Sequence, residues 1–356
     1  WHELTFTDAA DKVRKRERLQ KGIETSKAIT ELAGNPLLLT MMAILNRNQE
    51  LPRDRAELYN QASRVLLHQW DVERALVEDK RLDPKTIDYK DKQAMLRQVA
   101  YYMQTSAKGL AGNLINEDDL VKILTDYLKT IEVSQAREAA KVMINQLRTR
   151  NFVLCFFGAD YYAFVHRTFL EYFCAWEFVW RFEKERSLSI EELKIEVFGK
   201  HWQDESWHEV LPLIAGMIDA KFVGEIIEYL MAENGEEEKF TNLFLAATCL
   251  VEVRNRSVIA STAKKLLDQI KDLTKYDLSY DYEEYGDEAQ LVRKIRTQAV
   301  TAVATTWKDD TNTLHWLLDR AIADNHEDVR YAAVDALVSN FKEHPDTLPF
   351  LKDRAI

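Results

Sequence analysis

The sequence has few of the residues that most often interrupt helices. Its 356 residues include only 10 glycines and 6 prolines, and both are scarce for a chain of this length. Long stretches of it also repeat their apolar residues with a period of 3.6. Together, the missing helix breakers and this period predict a mainly helical protein.

Cysteine, net positive charge and long apolar runs are also lacking. The three cysteines, Cys155, Cys174 and Cys249, form no CxxC pair, which argues against a disulfide framework and favours a reducing compartment, the cytoplasm. No run of about 18 uncharged apolar residues occurs, so no membrane contact is predicted. The net charge of -11 argues against a general nucleic-acid binder and leaves room only for a local basic patch.

Motifs that carry catalysis are absent as well. The sequence has no GxxxxGK[ST], no GxGxxG and no GxSxG, so the loops that bind phosphates or carry a nucleophile are not found. The Gly199-Lys200 pair has Lys194 where the first glycine of a P-loop would stand. No Cys/His cluster has metal-ligand spacing. The sequence therefore predicts no catalytic residue and no metal ligand.

The N-terminal part, residues 1–80, is predicted to be a helical domain. In "GNPLLLTMMAIL", Asn35 can cap a helix and Pro36 suits its first position. Residues 54–70 form an amphipathic pattern. The polar residues 71–92 that follow indicate a boundary.

Residues 81–186 are predicted to form a winged helix. Three helical patterns precede "NFVLCFF" and "YYAFVH", which flank "GAD" as the strands of a hairpin flank its turn. Thr168 and Glu171 form a capping-box pattern, so the next helix should start beside His166. That helix is apolar on nearly all faces, which predicts deep burial between two domains.

Residues 187–356 read as helical hairpins with an internal repeat. Residues 299–322 align without gaps on residues 333–356, at an offset of 34 residues and with 11 of 24 positions identical. A period of this length in a helical region predicts a solenoid of helix pairs. Equivalent apolar positions are predicted to pack together: Leu314, Trp316, Leu317, Leu348, Phe350 and Leu351. The segment "DNHEDVRYAAVDAL" looks like the first helix of a HEAT repeat.

Two segments resemble hallmarks of bacterial NACHT proteins, which are STAND-class signalling NTPases related to NOD-like receptors. They are "LAGNPLLLTMMAIL" and "FVHRTFLEYFCAWEF". "HWQDESWHEVLPLIAGMI" resembles the segment that follows the winged helix in the family. The resemblance covers nearly the whole chain. The P-loop core of the family is missing from this sequence, and we expect it upstream of Trp1 in a longer protein.

The resemblance implies that ATP or ADP, with Mg in the missing core, is the cofactor. Pro36 matches the proline that packs on adenine in the family, and His166 matches the histidine that reaches the β-phosphate of ADP. Without the resemblance, Pro36 is explained as a simple helix start and His166 as a core histidine bonded to backbone. Arg167 is next to His166 and could assist it, but an exposed surface arginine is the better explanation, and His68 is interpreted as structural.

The resemblance also implies partners and a role. The expected partners are the upstream P-loop domain, proteins that bind the repeats, and further copies of the intact protein upon activation. The expected role is the lid and sensor of a nucleotide-switched signalling ATPase, in bacterial defence or signal transduction.

Two other functions compete with this one. A DNA-binding winged-helix regulator would need a basic recognition helix, for which residues 136–152 offer Arg137, Lys141, Arg148 and Arg150. A plain HEAT scaffold would bind only proteins, but it does not explain the Gly-Asn-Pro and His166 segments. The acidic, tyrosine-rich residues 275–288 are either an exposed insertion or a contact surface.

Overall fold

The protein folds into two compact units, residues 1–187 and residues 188–356. The computed structural model describes residues 9–25, 29–30, 33–34, 36–46, 50–52, 54–69, 87–106, 113–280, 282–283, 286–342 and 344–354. Asn35, Trp70 and the predicted boundary at residue 80 lie outside these residues.

The described N-terminal part of the first unit includes the helices α1 (Ala9–Thr25), α2 (Pro36–Leu45) and α3 (Arg55–Arg64), the last continued by a π-helical segment (Val65–Gln69). Asp54 caps α3, because its carboxylate accepts a hydrogen bond from the Glu57 N–H at 2.9 Å. The helix α2 packs on α3 and on the π-helical segment.

The winged helix follows in the order helix, strand, two helices, two strands. Its elements are α4 (Tyr89–Thr105), β1 (Ile115–Asn116), α5 (Glu117–Thr130), α6 (Ala136–Thr149), β2 (Leu154–Gly158) and β3 (Tyr161–Phe164). The sheet is antiparallel with the order β1-β3-β2. Sequence analysis predicted the hairpin of β2 and β3 but missed β1, since a two-residue strand shows no period.

The hairpin turns through Ala159 and Asp160. Both residues have positive φ, 48° and 61°, as two-residue hairpin turns that follow the strand twist require. Gly158 pairs with Tyr161 across the turn, and the register slips by one residue at Phe157. That slip is a β-bulge, which changes the direction of a side chain at the end of a strand.

The last helix of the unit is α7 (Arg167–Trp180), continued by a π-helical turn (Arg181–Glu185). It packs mainly on α4 and also on α3, so its predicted burial is confirmed. The buried apolar side chains of α7 are Phe169, Leu170, Tyr172, Phe173, Cys174, Ala175, Phe178 and Val179.

The second unit is a stack of helices. Its elements are α8 (Ile190–Glu192, continued as a π-helix over Leu193–Gly199), α9 (Val210–Met217), α10 (Ala220–Ala232), α11 (Thr241–Glu252), α12 (Ala260–Leu273), α13 (Asp287–Thr306), α14 (Thr311–Ala323), α15 (Glu327–Asn340) and α16 (Thr347–Arg354). From α10 to α15, each helix packs on the next, and α13 also packs on α15. The predicted fold class, mainly helical with a winged helix and a helical solenoid, is confirmed.

The repeated segment has the expected core in part. Leu314 and Leu317 are buried, with 3% and 0% exposure, in a cluster that joins α13, α14 and α15. Trp316 and Phe350 occupy equivalent positions but are only partly buried against that cluster. The side chains of Leu348 and Leu351 lie outside the described ones. The ring of Trp316 also contacts the Lys271 ammonium, which lies 5.1 Å from the ring centroid.

Replacing Leu317 by alanine is expected to cost about 2–5 kcal/mol of unfolding free energy, because the whole side chain is buried. Trp316→Ala should cost less, since its ring is partly in water. Val338→Ala, at an exposed position, serves as control and should change stability by no more than about 0.5 kcal/mol. Hydrogen exchange of α14 and α15 measures all three. A larger loss for Trp316→Ala than for Leu317→Ala would contradict this packing.

Candidate functional site

His166 is the N-cap residue of α7, between the end of β3 and the first helical turn. Its backbone is extended, with φ -129° and ψ 127°. The preceding Val165 N–H donates to the Val153 carbonyl at 2.9 Å, which keeps the chain extended up to this point. The helix therefore begins at Arg167, as soon as the backbone leaves the strand direction.

The predicted capping box is wrong. Thr168 lies inside the first turn of α7, and its hydroxyl is buried without a hydrogen-bond partner among the described residues. The Glu171 carboxylate accepts from Arg167 Nε at 2.8 Å rather than forming the reciprocal bond of a capping box. A threonine that caps a helix must have an extended backbone. Here the N-cap is His166, two residues earlier, so Thr168 is already helical.

The N-terminus of α7 has the electrostatics of an anion site. Its first turn contains no acidic residue, and the first N–H groups of a helix have no partner within it. Burial lowers the pKa of His166 below its ordinary value, so the imidazole is neutral at pH 7. A neutral imidazole still carries one N–H donor. This turn can therefore offer an anion hydrogen bonds and the positive end of the helix dipole.

The titration of His166 should show this burial directly. An NMR titration of the histidine ring protons is expected to give His166 a pKa below about 6.5, the value of a free histidine. Because the folded-state pKa is lowered, the neutral imidazole favours folding above about 6.5, and stability falls as pH drops below it. His166→Gln assigns the resonance and removes this part of the pH dependence. A pKa at or above the free value would contradict the assignment.

Pro36 is the first residue of α2 and is exposed. This is the predicted helix position, which suits proline because it has no N–H to leave unsatisfied. Its carbonyl oxygen accepts a hydrogen bond from the Thr40 hydroxyl at 2.8 Å. The far side of the helix is anchored by Leu38, Met41 and Met42, which are buried.

The helices that begin at Pro36 and after His166 both pack on α3. Tyr59 of α3 is 2% exposed. Its ring centroid lies 6.0 Å from that of Phe169 and 5.4 Å from that of Tyr172, both in α7. The helix α3 also packs on α2. The structure thus links the two predicted site residues through one intervening helix.

A buried ionic cluster lies farther along α7, and sequence analysis did not find it. Glu177 is 3% exposed and Arg97 of α4 is 5% exposed. The Glu177 carboxylate accepts a hydrogen bond from Arg181 Nε at 3.0 Å and lies 3.7 Å from Arg97 Nε. A glutamate inside so apolar a helix was the available signal, since a buried carboxylate requires a cationic partner.

Aromatic rings enclose the two arginines of this cluster. The Arg97 guanidinium lies 4.1 Å from the ring centroid of Trp180 and 5.1 Å from that of Trp176. Arg181 lies 3.8 Å from the ring centroid of Tyr101. Burial raises the pKa of Glu177, and the two guanidinium groups oppose that rise. The cluster therefore links α4 to α7, because the guanidinium groups of Arg97 and Arg181 share the Glu177 carboxylate.

The two remaining sequence candidates lie at the surface. Arg167 is exposed and its guanidinium is paired with the Glu171 carboxylate. His68 is exposed, and its ring contacts that of Tyr89 at a centroid distance of 5.8 Å. Across the described ranges, no three His, Cys, Asp or Glu residues are placed to hold a metal ion, and no helix is long and apolar enough to cross a membrane.

Comparison with known proteins identifies one family. Residues 55–178, about a third of the chain, match the family described as the winged helix-turn-helix domain C-terminal to NACHT. The matched region runs from α3 into α7 and includes His166 but not Pro36. No curated protein and no solved structure matches the chain. The match supports a NACHT-associated protein with a regulatory winged-helix region.

Proposed function

We propose that this chain is the lid and sensor of a nucleotide-switched NACHT ATPase of the STAND class. In this proposal a P-loop core in the same protein binds ATP or ADP with Mg, and the winged helix closes over it. The match of residues 55–178 to the winged helix that follows NACHT carries the proposal. The chain itself supplies no Walker motif, so the chain alone should not hydrolyse ATP.

His166 is proposed to hold the closed state by donating a hydrogen bond to the β-phosphate of ADP. The support is its position as N-cap of a helix whose first turn carries no acidic residue. A phosphate there would meet the imidazole and the positive end of the helix dipole. The negative charge would also raise the pKa of His166 and so strengthen the bond.

Pro36 is proposed to cover the adenine base. Its ring is apolar, held rigid, and exposed at the first position of α2. An exposed apolar ring on a well-anchored helix loses little freedom when it packs on a flat base. The shared packing of α2 and α7 on α3 lets one helical scaffold present both contacts.

The helical stack is proposed to sense the trigger by binding a protein, and activation is proposed to bring copies of the intact protein together. The tyrosine-rich residues 275–288 suit such a contact because the stack anchors the start of this segment at Tyr276 and Asp277. Arg296 Nε donates to the Tyr276 carbonyl at 2.7 Å, and its Nη2 lies 3.2 Å from the Asp277 carboxylate. Tyr280, next to this anchor, is 59% exposed.

The protein is proposed to act in the cytoplasm. Its three cysteines are free, which suits a reducing compartment.

Hydrogen exchange tests the lid proposal in the protein that carries the P-loop core with this chain. ADP should slow exchange of the first turns of α7 and α2, because both are proposed to close on the nucleotide. The helices α14 and α15 serve as the internal control and should be unchanged. The isolated chain should show neither this protection nor ATP turnover above a blank. Unchanged exchange at residues 165–171 on adding ADP would refute the lid role.

A further inference from the structure

The negative charge of the chain belongs to its second unit. Residues 1–187 contain 29 Lys and Arg against 27 Asp and Glu, a net charge of +2. Residues 188–356 contain 19 against 32, a net charge of -13. The net negative charge of the chain therefore does not exclude nucleic-acid binding by the winged helix.

The helix α6 presents a cationic stripe. Arg137, Lys141, Asn145 and Arg148 follow each other at helical spacing, so they lie along one face. Arg137 and Lys141 are exposed and form no ion pair with any residue that the structure describes. The opposite face is buried through Ala139, Ala140, Met143, Ile144 and Leu147.

Exposed aromatic rings lie on the strand that follows α6. On β2, Phe156 is 46% and Phe157 is 73% exposed. The strand has β3 on one side only, so it is an edge of the described sheet. Large apolar side chains on an exposed edge are uncommon unless they meet a partner.

The cationic stripe and the rings are neighbours. The ring centroids of Phe156 and Tyr162 are 5.3 Å apart, edge to face. Burial raises the pKa of Tyr162, as do the charges of Glu117 and Asp160, and the charge of Arg148 opposes this rise. The helix α6 packs directly on β2. The cationic stripe and the two exposed rings therefore lie on elements that contact each other.

The chemistry of this surface fits a single strand better than a duplex. Residues 151–165 contain no Lys or Arg, so the hairpin offers no cation to a second phosphate backbone. In a duplex the base faces are stacked and closed to protein rings. In a single strand they are open, and aromatic side chains beside a cationic track stack on them.

We propose that the α6–β2 surface, formed by Arg137, Lys141, Arg148, Phe156 and Phe157, binds single-stranded nucleic acid. The cations contact phosphates and the two rings stack on bases. Glu138, which follows Arg137 in the sequence, and Asp160, in the hairpin turn, are exposed and weaken the attraction, so the binding is moderate and sensitive to salt.

Fluorescence anisotropy with the 356-residue chain tests the proposal. The probes are a labelled oligo-dT of about 20 nucleotides and a duplex of the same length, from about 50 to 300 mM salt. The single strand should bind more tightly than the duplex. The logarithm of its binding constant should fall with that of the salt concentration with a slope of about -2, as for three phosphate contacts.

Matched variants distinguish binding at this surface from non-specific electrostatic attraction between the chain and the nucleic acid. Phe156→Ala and Phe157→Ala should each weaken binding roughly 5- to 150-fold, the effect of losing one stacked base. Arg137→Gln with Lys141→Gln should reduce the salt slope to about -0.7. Tyr331→Ala removes an equally exposed ring from the second unit, and Lys264→Gln with Lys294→Gln removes two exposed cations there. These controls should bind like wild type.

Three outcomes overturn the proposal. One is the absence of oligo-dT binding at about 50 mM salt. Another is tighter binding of the duplex, and the third is an equal loss in the second-unit controls. If oligo-dT does not bind while Phe156→Ala alters self-association in sedimentation, the surface is a protein contact instead.

Discussion

Glu177→Gln is expected to destabilise the first unit by about 3–5 kcal/mol, the cost of breaking a buried ion pair from one side. The substitution keeps the shape of the side chain but removes the carboxylate that lies within 4 Å of both Arg97 and Arg181, the only one to do so among the described residues. Arg97 is 5% exposed, so its guanidinium cannot regain water without α4 and α7 moving apart. The cation–π contacts with Trp176 and Trp180 offset only part of this cost.

Hydrogen exchange is the suitable measurement, because a chain of two units has no single unfolding free energy. Amides in the middle of α4 and α7 should exchange roughly 150- to 5,000-fold faster in the variant, and those of α10–α15 should not change.

Glu171→Gln is the matched control on the same helix. Glu171 is also buried, but its partner Arg167 is exposed and can return to water, so a cost of about 0–1 kcal/mol is expected. If Glu177→Gln prevents folding, Glu177→Leu with Arg97→Met should restore it, because an apolar pair needs no counter-charge. Equal exchange in Glu177→Gln and wild type would show that the cluster contributes nothing.

His166→Ala is expected to speed ADP release roughly 10- to 150-fold in the protein that carries the proposed P-loop core. A hydrogen bond to a charged group contributes about 1.5–3 kcal/mol. If His166 donates it only in the closed state, its loss shifts the balance towards open by that factor. His166 is only partly buried and does not cap α7 with its side chain, so folding should be preserved.

The measurement is the release rate of a fluorescent ADP analogue, with a melting curve beside it. His68→Ala removes an exposed histidine of the same unit and should leave the rate unchanged. His166→Gln keeps an N–H donor and should recover part of the slow release. A normal release rate together with a lower melting temperature would make His166 a packing residue.

The helices and the hairpin could be predicted because their signals are local. The period of 3.6, Pro36 at a helix start and the strands around "GAD" are all properties of a few neighbouring residues. The same locality misled the interpretation of Thr168. Its pattern is that of a cap, but the hydrogen bond between Val165 and Val153, across the hairpin, decides where the helix begins.

Burial was predicted less well than helix position. Trp316 lies at the repeat position of Phe350, and both were expected in the core, yet each is only partly buried. The repeat determines which face of α14 turns inward. How deeply a ring enters depends on the neighbouring helix α12, whose Lys271 reaches the ring.

By itself, the sequence determined the helical class, the winged-helix order and the solenoid. The apolar periods and turn residues that indicate them are properties of short stretches of sequence. It also determined the residues that the resemblance singles out, Pro36 and His166. Only the tertiary structure decided which charges meet. Arg97 joins Glu177 across two helices, and α6, which carries the cationic stripe, packs on the strand that carries Phe156. Such pairings depend on how segments far apart in the chain pack against each other, and neither composition nor a local sequence pattern contains that information.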